Sequence, residues 1–133
     1  MAQGENQKVI CFFNSCKAWG GGEKWHFEMA QRLLAEGMQV IMCAAPDTRL
    51  AQRAKAAGIP LYEFRIGNLS FLNPFVKARL SRFFKRMNVT HIVLNLPADL
   101  KAAGIAARSA GVPDIVYRRG SAIPISNTWL NRY

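Results

Sequence analysis

Three consecutive glycines followed by an acid, Gly20, Gly21, Gly22 and Glu23, are the residues in this sequence best suited to chemistry. Glycines let the backbone approach a ligand without a Cβ clash. A helix that begins here points its free N–H groups and the positive end of its dipole at a phosphate or carboxylate. The alternative is structural: a tight turn whose acid stabilises the helix. We favour ligand binding because the turn follows the first predicted strand.

Asn95 and Asp99 flank the loop after another buried apolar run. Asn95 needs a polar partner at the end of a buried strand. Asp99 is our candidate catalytic residue, as a base or as a hydrogen-bond partner for substrate hydroxyls. It suits equally well the role of a first-turn acid that stabilises its own helix. We therefore assign Asn95 to substrate binding and leave both interpretations of Asp99 open.

Arg118, Arg119 and Gly120 follow the last predicted strand, and we assign them to substrate binding as well. The guanidinium fork matches the geometry of phosphate and carboxylate groups. Two solvated basic residues at a strand end are an equally good interpretation.

The other reactive residue types favour packing over chemistry. We predict His26 to be a core histidine on the apolar face of the first helix. Cys11 and Cys43 fall in apparent strands and are predicted to be buried, while Cys16 lies near the glycine turn. An odd cysteine count without a CxxC pair indicates neither a disulfide framework nor a zinc site, so we predict no metal.

The elements that position these residues alternate between apolar runs and amphipathic stretches. We predict strands at residues 9–13, 38–45, 61–66, 92–96 and 114–118. The intervening helices are predicted at residues 22–36, 47–58 with Asp47 as N-cap, 71–87 and 98–110. Right-handed crossovers then favour an α/β fold, a single three-layer domain of residues 1–133. Its doubly wound, Rossmann-like parallel sheet takes the order 3-2-1-4-5.

The net charge of +10 favours anionic partners, and every charged residue between Arg65 and Arg86 is basic. In the helix at 71–87 we expect the apolar side chains, Leu72 and Phe75 among them, to pack on the sheet. The opposite face is predicted to be either simply solvated or in contact with an anionic membrane. The membrane-facing candidates are Arg79, Arg82, Lys85 and Arg86.

Two familiar phosphate motifs are absent. A dinucleotide fingerprint needs a glycine where Trp25 stands, which disfavours a dehydrogenase, and no P-loop string occurs. Instead, Gly20, Gly21 and Glu23, followed by the helix end at residues 33–40, resemble the N-terminal domain of group 1 (family four) glycosyltransferases. Met38 replaces a histidine that is usual in that family.

Two later stretches are similar to the same family. Residues 88–93 resemble its entry to strand four, with Thr90 and His91 in place of proline and aspartate. Residues 102–113 resemble the end of the helix that follows. Where many members carry a histidine after strand five, this chain has Arg118 and Arg119, so the role of that histidine is not transferred.

The resemblance implies a GT-B enzyme, in which two Rossmann-like domains face each other across a cleft. This chain would be the acceptor-side domain, inactive without a C-terminal donor domain, which would lie beyond Tyr133. The substrate assigned above to Asn95, Arg118, Arg119 and Gly120 would then be the acceptor. The glycine turn would then contact the donor diphosphate or the transferred sugar. The implied reaction is retaining transfer from a nucleotide-sugar co-substrate, with no cofactor, to a glycan or lipid-linked acceptor in cell-envelope lipopolysaccharide or polysaccharide synthesis.

The expected location is the cytoplasm, with peripheral contact at the inner membrane face, because residues 1–7 lack a secretory signal core. A non-enzymatic basic module that binds nucleic acid or anionic membrane is the main alternative. The glycosyltransferase hypothesis itself implies no nucleic-acid partner. A stand-alone nucleotide-dependent enzyme is a third hypothesis, disfavoured by the missing third glycine.

Overall fold

The computed structural model describes residues 8–66 and 70–117, with the side chain of Phe71 left out. Five parallel strands form one sheet in the order β3-β2-β1-β4-β5, which confirms the predicted doubly wound topology. The strands are β1 (Val9–Asn14), β2 (Gln39–Ala44), β3 (Leu61–Glu63), β4 (His91–Leu94) and β5 (Asp114–Tyr117).

Helices follow the first four strands. They are α1 (Gly21–Ala35), α2 (Arg49–Ala56), α3 (Pro74–Arg86) and a segment in three stretches that we label together α4 (Pro97–Asp99, Leu100–Gly104 and Ile105–Ser109). The middle stretch of α4 is a π-helix, which the sequence did not indicate. Such bulges are rare and often occur at functional sites.

The core lies on both faces of the sheet because β1 is buried along its whole length. Successive side chains of a strand point to opposite faces. Ile10 and Phe12 belong to the cluster that α1 and α2 cover, whereas Cys11 and Phe13 belong to the cluster under α3 and α4. Helices on both faces give the predicted three-layer α/β/α architecture.

Three local predictions are corrected. Thr48, not Asp47, is the N-cap of α2: its hydroxyl accepts a hydrogen bond from the N–H of Ala51 at 3.1 Å, while Asp47 has φ +61°. β3 ends at Glu63 instead of residue 66, since only three residues pair with β2. The third long helix begins at Pro74, after a 3₁₀ turn at Ser70–Leu72, because proline suits a first helical position.

The start of α3 also reverses a packing prediction. Leu72 and Phe75 are 65% and 82% exposed, although the sequence pattern assigned both to the core. The buried face of α3 consists of Leu80, Phe83 and Phe84, all in its second half. The helix therefore packs on the sheet mainly by its second half, with Val76 partly buried in its first turn, while Phe75 faces solvent.

Candidate functional site

The strand order places a switch point between β1 and β4, because the chain leaves β1 toward β2 on one side and adds β4 on the other. In open α/β sheets, ligands bind beyond the carboxyl ends of the strands at this point. The glycine turn follows β1, and Asn95 and Asp99 follow β4. The structure thus brings these predicted site residues to one edge of the sheet.

Glu23 holds the turn together from inside. Its carboxylate accepts a hydrogen bond from the N–H of Gly20 at 3.0 Å and another from Asn14 Nδ2 at 3.1 Å. Only 5% of Glu23 is exposed, and Asn14 is fully buried. The first contact is half of a capping box, which satisfies an N–H at the start of a helix. Direct contact between Glu23 and a substrate remains a prediction that would require displacing one of these partners.

Asn14 extends this network. Its Oδ1 accepts a hydrogen bond from the N–H of Cys16 at 2.9 Å, and its Nδ2 lies 3.4 Å from Nδ1 of His26. His26 is fully buried, as the sequence predicted, and its ring packs edge-on against Phe12. One asparagine at the end of β1 therefore links the loop, the cap and the first helix.

Asp99, which follows β4, is hydrogen-bonded across the switch point to Ser15, which follows β1. Both of its carboxylate oxygens accept hydrogen bonds from Ser15, one from the N–H at 2.8 Å and one from the hydroxyl at 2.6 Å. Burial raises the pKa of Asp99 to about 6; the two Ser15 hydrogen bonds lower it and the charge of Glu23 raises it. Asp99 is fully buried, and its hydrogen-bond partner Ser15 is 9% exposed. Its catalytic role remains a prediction.

The three glycines differ in their surroundings. A Cβ on Gly22 would collide with the amide group of Asn95, so that position requires glycine for packing. A Cβ on Gly21 would meet no atom within 4 Å, and no packing reason for glycine exists there among the described residues. Gly21 is exposed and is the first residue of α1, where N–H groups have no partner within the helix. Open space at a helix N-terminus is where a ligand phosphate would fit.

The remaining predicted residues have separate positions. Asn95 is partly exposed, but its Oδ1 is buried without a hydrogen-bond partner among the described residues, so it offers an unfilled acceptor. Arg118, Arg119 and Gly120 lie outside the described residues, and their assignment remains a prediction.

Sequence reasoning missed Asn14 and Ser15. The signal was present: both are polar residues directly after an apolar run, at the carboxyl end of a buried strand. Cys16 offers no activated thiol, because burial raises its pKa. His91, for which the sequence suggested no partner, contacts Asp114 at 3.1 Å and Thr90 at 2.8 Å, at the opposite end of β4 from the candidate site.

The proposed membrane-facing residues lie on α3. Arg79, Arg82, Lys85 and Arg86 are exposed. The guanidinium of Arg79 lies 5.1 Å from the ring centre of Phe64, and that of Arg86 lies 5.9 Å from the ring centre of Phe83. Their stems thus cover apolar surface while their charges stay in water. Within residues 8–66 and 70–117, no helix combines the length and hydrophobicity needed to cross a bilayer.

Solved structures share this fold. MurG of Acinetobacter baumannii matches with a TM-score of 0.66 and 22% identity, over 94% of this chain and 39% of that one. A glycosyltransferase of Rickettsia africae matches with a TM-score of 0.73 and 18% identity, over 96% of this chain and 34% of that one. At such identities the likeness shows the fold: a Rossmann-like domain of the kind that GT-B glycosyltransferases contain.

A different enzyme class shares the fold too. A UDP-N-acetylglucosamine 2-epimerase of Neisseria meningitidis, solved with UDP-GlcNAc bound, matches with a TM-score of 0.55 and 17% identity, over 92% of this chain and 34% of that one. No family model and no curated protein matches the sequence. The chain spans between a third and two fifths of the length of these structures.

Proposed function

We propose that this chain is the acceptor-side domain of a nucleotide-sugar-dependent glycosyltransferase, whose donor phosphate or sugar lies against Gly21. The observation that carries the proposal is the open space at Gly21, at the N-terminus of α1 and beside the switch point. The shared fold and the Gly20-Gly21-x-Glu23 pattern support it. A C-terminal donor domain completes the enzyme in this proposal, which makes the chain inactive alone.

In this proposal, some residues of the site bind the ligand and others keep the turn in place. Gly21 presents the helix N-terminus to an anion, and Asn14 and Glu23 keep the turn in place. Asn95 Oδ1, at the same edge, accepts a hydrogen bond from an acceptor hydroxyl. Asp99 draws a proton through the Ser15 hydroxyl, with a pKa of about 6 that suits proton transfer near neutral pH.

The finer parts of the proposal rest on the family resemblance. They are retention of anomeric configuration, no metal or other cofactor, a glycan or lipid-linked acceptor, and a pathway of cell-envelope polysaccharide or lipopolysaccharide synthesis. On the same basis we propose that the domain lies in the cytoplasm at the inner membrane face.

A specific observation supports membrane contact. Phe75 is 82% exposed and lies four, seven and eleven residues before Arg79, Arg82 and Arg86. That spacing puts an exposed aromatic ring and three cations along one stripe of α3. Leu72 adds a second exposed apolar side chain just before the helix. Apolar residues beside a basic face match the interfacial region of an anionic membrane, which takes both at once.

The site is tested by following the backbone amides of the whole 133-residue chain by NMR during titration with UDP-GlcNAc. We expect weak, millimolar binding that shifts the amide signals of Gly21 and Gly22. Gly21→Val places a side chain in the open space, where its Cβ meets no atom within 4 Å, and it should abolish those shifts while the protein stays folded. Ala35→Val, at the exposed last position of α1, is the matched control and should bind normally.

Two results would overturn the proposal. One is the absence of any saturable shift at Gly21 and Gly22 for UDP-GlcNAc, UDP and GDP-mannose alike. The other is binding by Gly21→Val that equals binding by Ala35→Val, which would place the ligand elsewhere.

A further inference from the structure

A second charged feature lies beside the glycine turn. The guanidinium carbons of Arg49 and Arg53 lie 5.8 and 4.9 Å from the ring centre of Trp19. Both arginines are exposed, whereas Trp19 is partly buried. We call these three residues the Trp19 cluster. Two cations that converge on one indole ring concentrate positive charge at a single point of the surface.

The cluster is electrostatically unfavourable as it stands. Arg49 is the first residue of α2, where the helix dipole is positive, and the first turn of α2 contains no acid. Arg53 follows one turn later on the same side, so the two side chains repel each other. Among the residues that the structure describes, neither forms an ion pair with a carboxylate. A bound anion would be attracted by both arginines and by the helix end.

The position of the cluster connects it to the candidate site. β1 and β2 are neighbours in the sheet, with Asn14 paired to Ala44, so the segments that follow them emerge side by side. Trp19 immediately precedes Gly20, and Arg49 opens the helix after β2. An anion at the cluster would therefore lie at the same carboxyl edge of the sheet as a ligand at Gly21.

We propose that the Trp19 cluster binds a phosphate group carried by the acceptor. The two guanidinium groups donate hydrogen bonds to the phosphate oxygens, since their planar forks match phosphate geometry. The Trp19 ring keeps both guanidinium groups in place and so orders them before binding. That this phosphate belongs to the acceptor rests on the proposed function; the anion site itself does not.

The test measures binding of sn-glycerol 3-phosphate, a soluble phosphomonoester, to the whole chain at constant ionic strength, with glycerol as the uncharged control. The arginine Nε–Hε signals report binding at the cluster by NMR. The double variant Arg49→Gln/Arg53→Gln should weaken binding about tenfold or more, because it removes two charge-assisted donors. The matched control is Lys55→Gln, an exposed cation on the same helix, which should change the affinity less than about twofold.

A further pair of measurements identifies the source of the phosphate. Sedimentation with phosphatidic acid vesicles, against phosphatidylcholine vesicles, should depend on Arg49 and Arg53 if the phosphate is a lipid headgroup. If the phosphate belongs to a soluble sugar, the double variant should sediment like the parent chain and lose only glycerol phosphate.

The proposal fails if the parent chain does not bind glycerol phosphate saturably, or if Lys55→Gln weakens binding as much as the double variant. Its failure is separable from that of the proposed function, because one experiment follows arginine side chains and the other the Gly21 amide. Arg53→Lys adds a further check: it keeps the charge but loses the fork, and should bind with intermediate affinity.

Discussion

The turn after β1 lies beside buried acidic residues, whereas the start of α3 exposes apolar residues. At the β1 turn, Glu23 and Asp99 are buried and their carboxylates are hydrogen-bonded by groups of the chain itself. At the start of α3, Leu72 and Phe75 are left in solvent. Burying carboxylates and exposing large apolar side chains both cost free energy, so each arrangement calls for an interaction that offsets this cost. Hydrogen bonds compensate at the first region, and a membrane would compensate at the second.

The difference between the two regions shows that residue type alone does not reveal which residues are open to a ligand or a partner. Glu23 attracts attention as a ligand contact, yet its carboxylate accepts hydrogen bonds from Gly20 and Asn14. What remains open to a ligand is backbone, at Gly21, because a Cβ there would meet no atom within 4 Å. At α3 the apolar residues suggest a core, yet the exposed pair continues the basic stripe of Arg79, Arg82 and Arg86.

The largest effect we predict is a pH-dependent one at Asp99. Below pH 3.8 its carboxyl is protonated whether the chain is folded or not. As pH rises from 3.8 to about 6, the unfolded state loses the proton first, so the free energy of unfolding falls and stays lower above that range. A pKa shift of about two units corresponds to a decrease of at most about 3 kcal/mol in the free energy of unfolding.

Asp99→Asn removes this titration while keeping the shape of the side chain. In urea unfolding at pH 4 and pH 7.5, the stability of the variant relative to the parent should rise by about 2 kcal/mol between the two pH values. The difference between the two proteins cancels the titration of all other groups. A difference that is independent of pH would show that the carboxyl ionises freely in the folded state, and the first half of the comparison would be wrong.

The second prediction separates two neighbouring glycines. Gly22→Ala pushes a Cβ into the amide of Asn95 and should destabilise the fold by about 2 kcal/mol, as overpacking does. Gly21→Ala is the control: it has room and should be neutral or stabilise by up to about 1 kcal/mol through helix propensity. Chemical denaturation of both variants provides the measurement. Equal costs at the two positions would contradict the assignment of Gly22 to packing and Gly21 to the ligand.

The fold itself was predictable, because β1, β2 and β4 consist mainly of apolar runs and glycines follow three of the four helices, at Gly37, Gly58 and Gly111. The sheet order followed from the alternating pattern at residues 61–66, which suits an edge strand. The internal network was not predictable: the Ser15–Asp99 contact joins residues 84 positions apart, and no local pattern encodes it. The π-helical stretch of α4 was missed for the same reason, since its composition is that of an ordinary helix.

The exposure of Phe75 was missed for a different reason. Helical periodicity assigns each residue to one side of the helix. With 3.6 residues per turn, Phe75 shares a side of α3 with Arg79, Arg82 and Arg86 and lies away from the buried Leu80 and Phe84. We assigned Phe75 to the core because it is apolar, although its spacing places it on the basic side of the helix.

The smallest predicted effect on stability is at this exposed ring. Phe75→Ser should change the free energy of unfolding by less than about 0.5 kcal/mol, because an exposed side chain loses little contact on substitution. The same variant should sediment much less with vesicles of phosphatidylglycerol and phosphatidylcholine, because a buried ring contributes about 1.5–3 kcal/mol to partition into an apolar phase. Phe75→Leu is the matched control and should retain most of the binding.

The basic side chains and the Phe75 ring lie on the same side of α3. Substituting the charges and the ring separately therefore tests whether this surface is a membrane site. Arg82→Glu/Arg86→Glu should abolish binding at low salt, and salt should weaken binding of the parent chain, since surface attraction is screened. If Phe75→Ser bound like the parent while the charge reversal did not, the surface would be a general anion-binding face. The exposed ring would then have no membrane role, and the contrast between the two regions would reduce to a difference in charge alone.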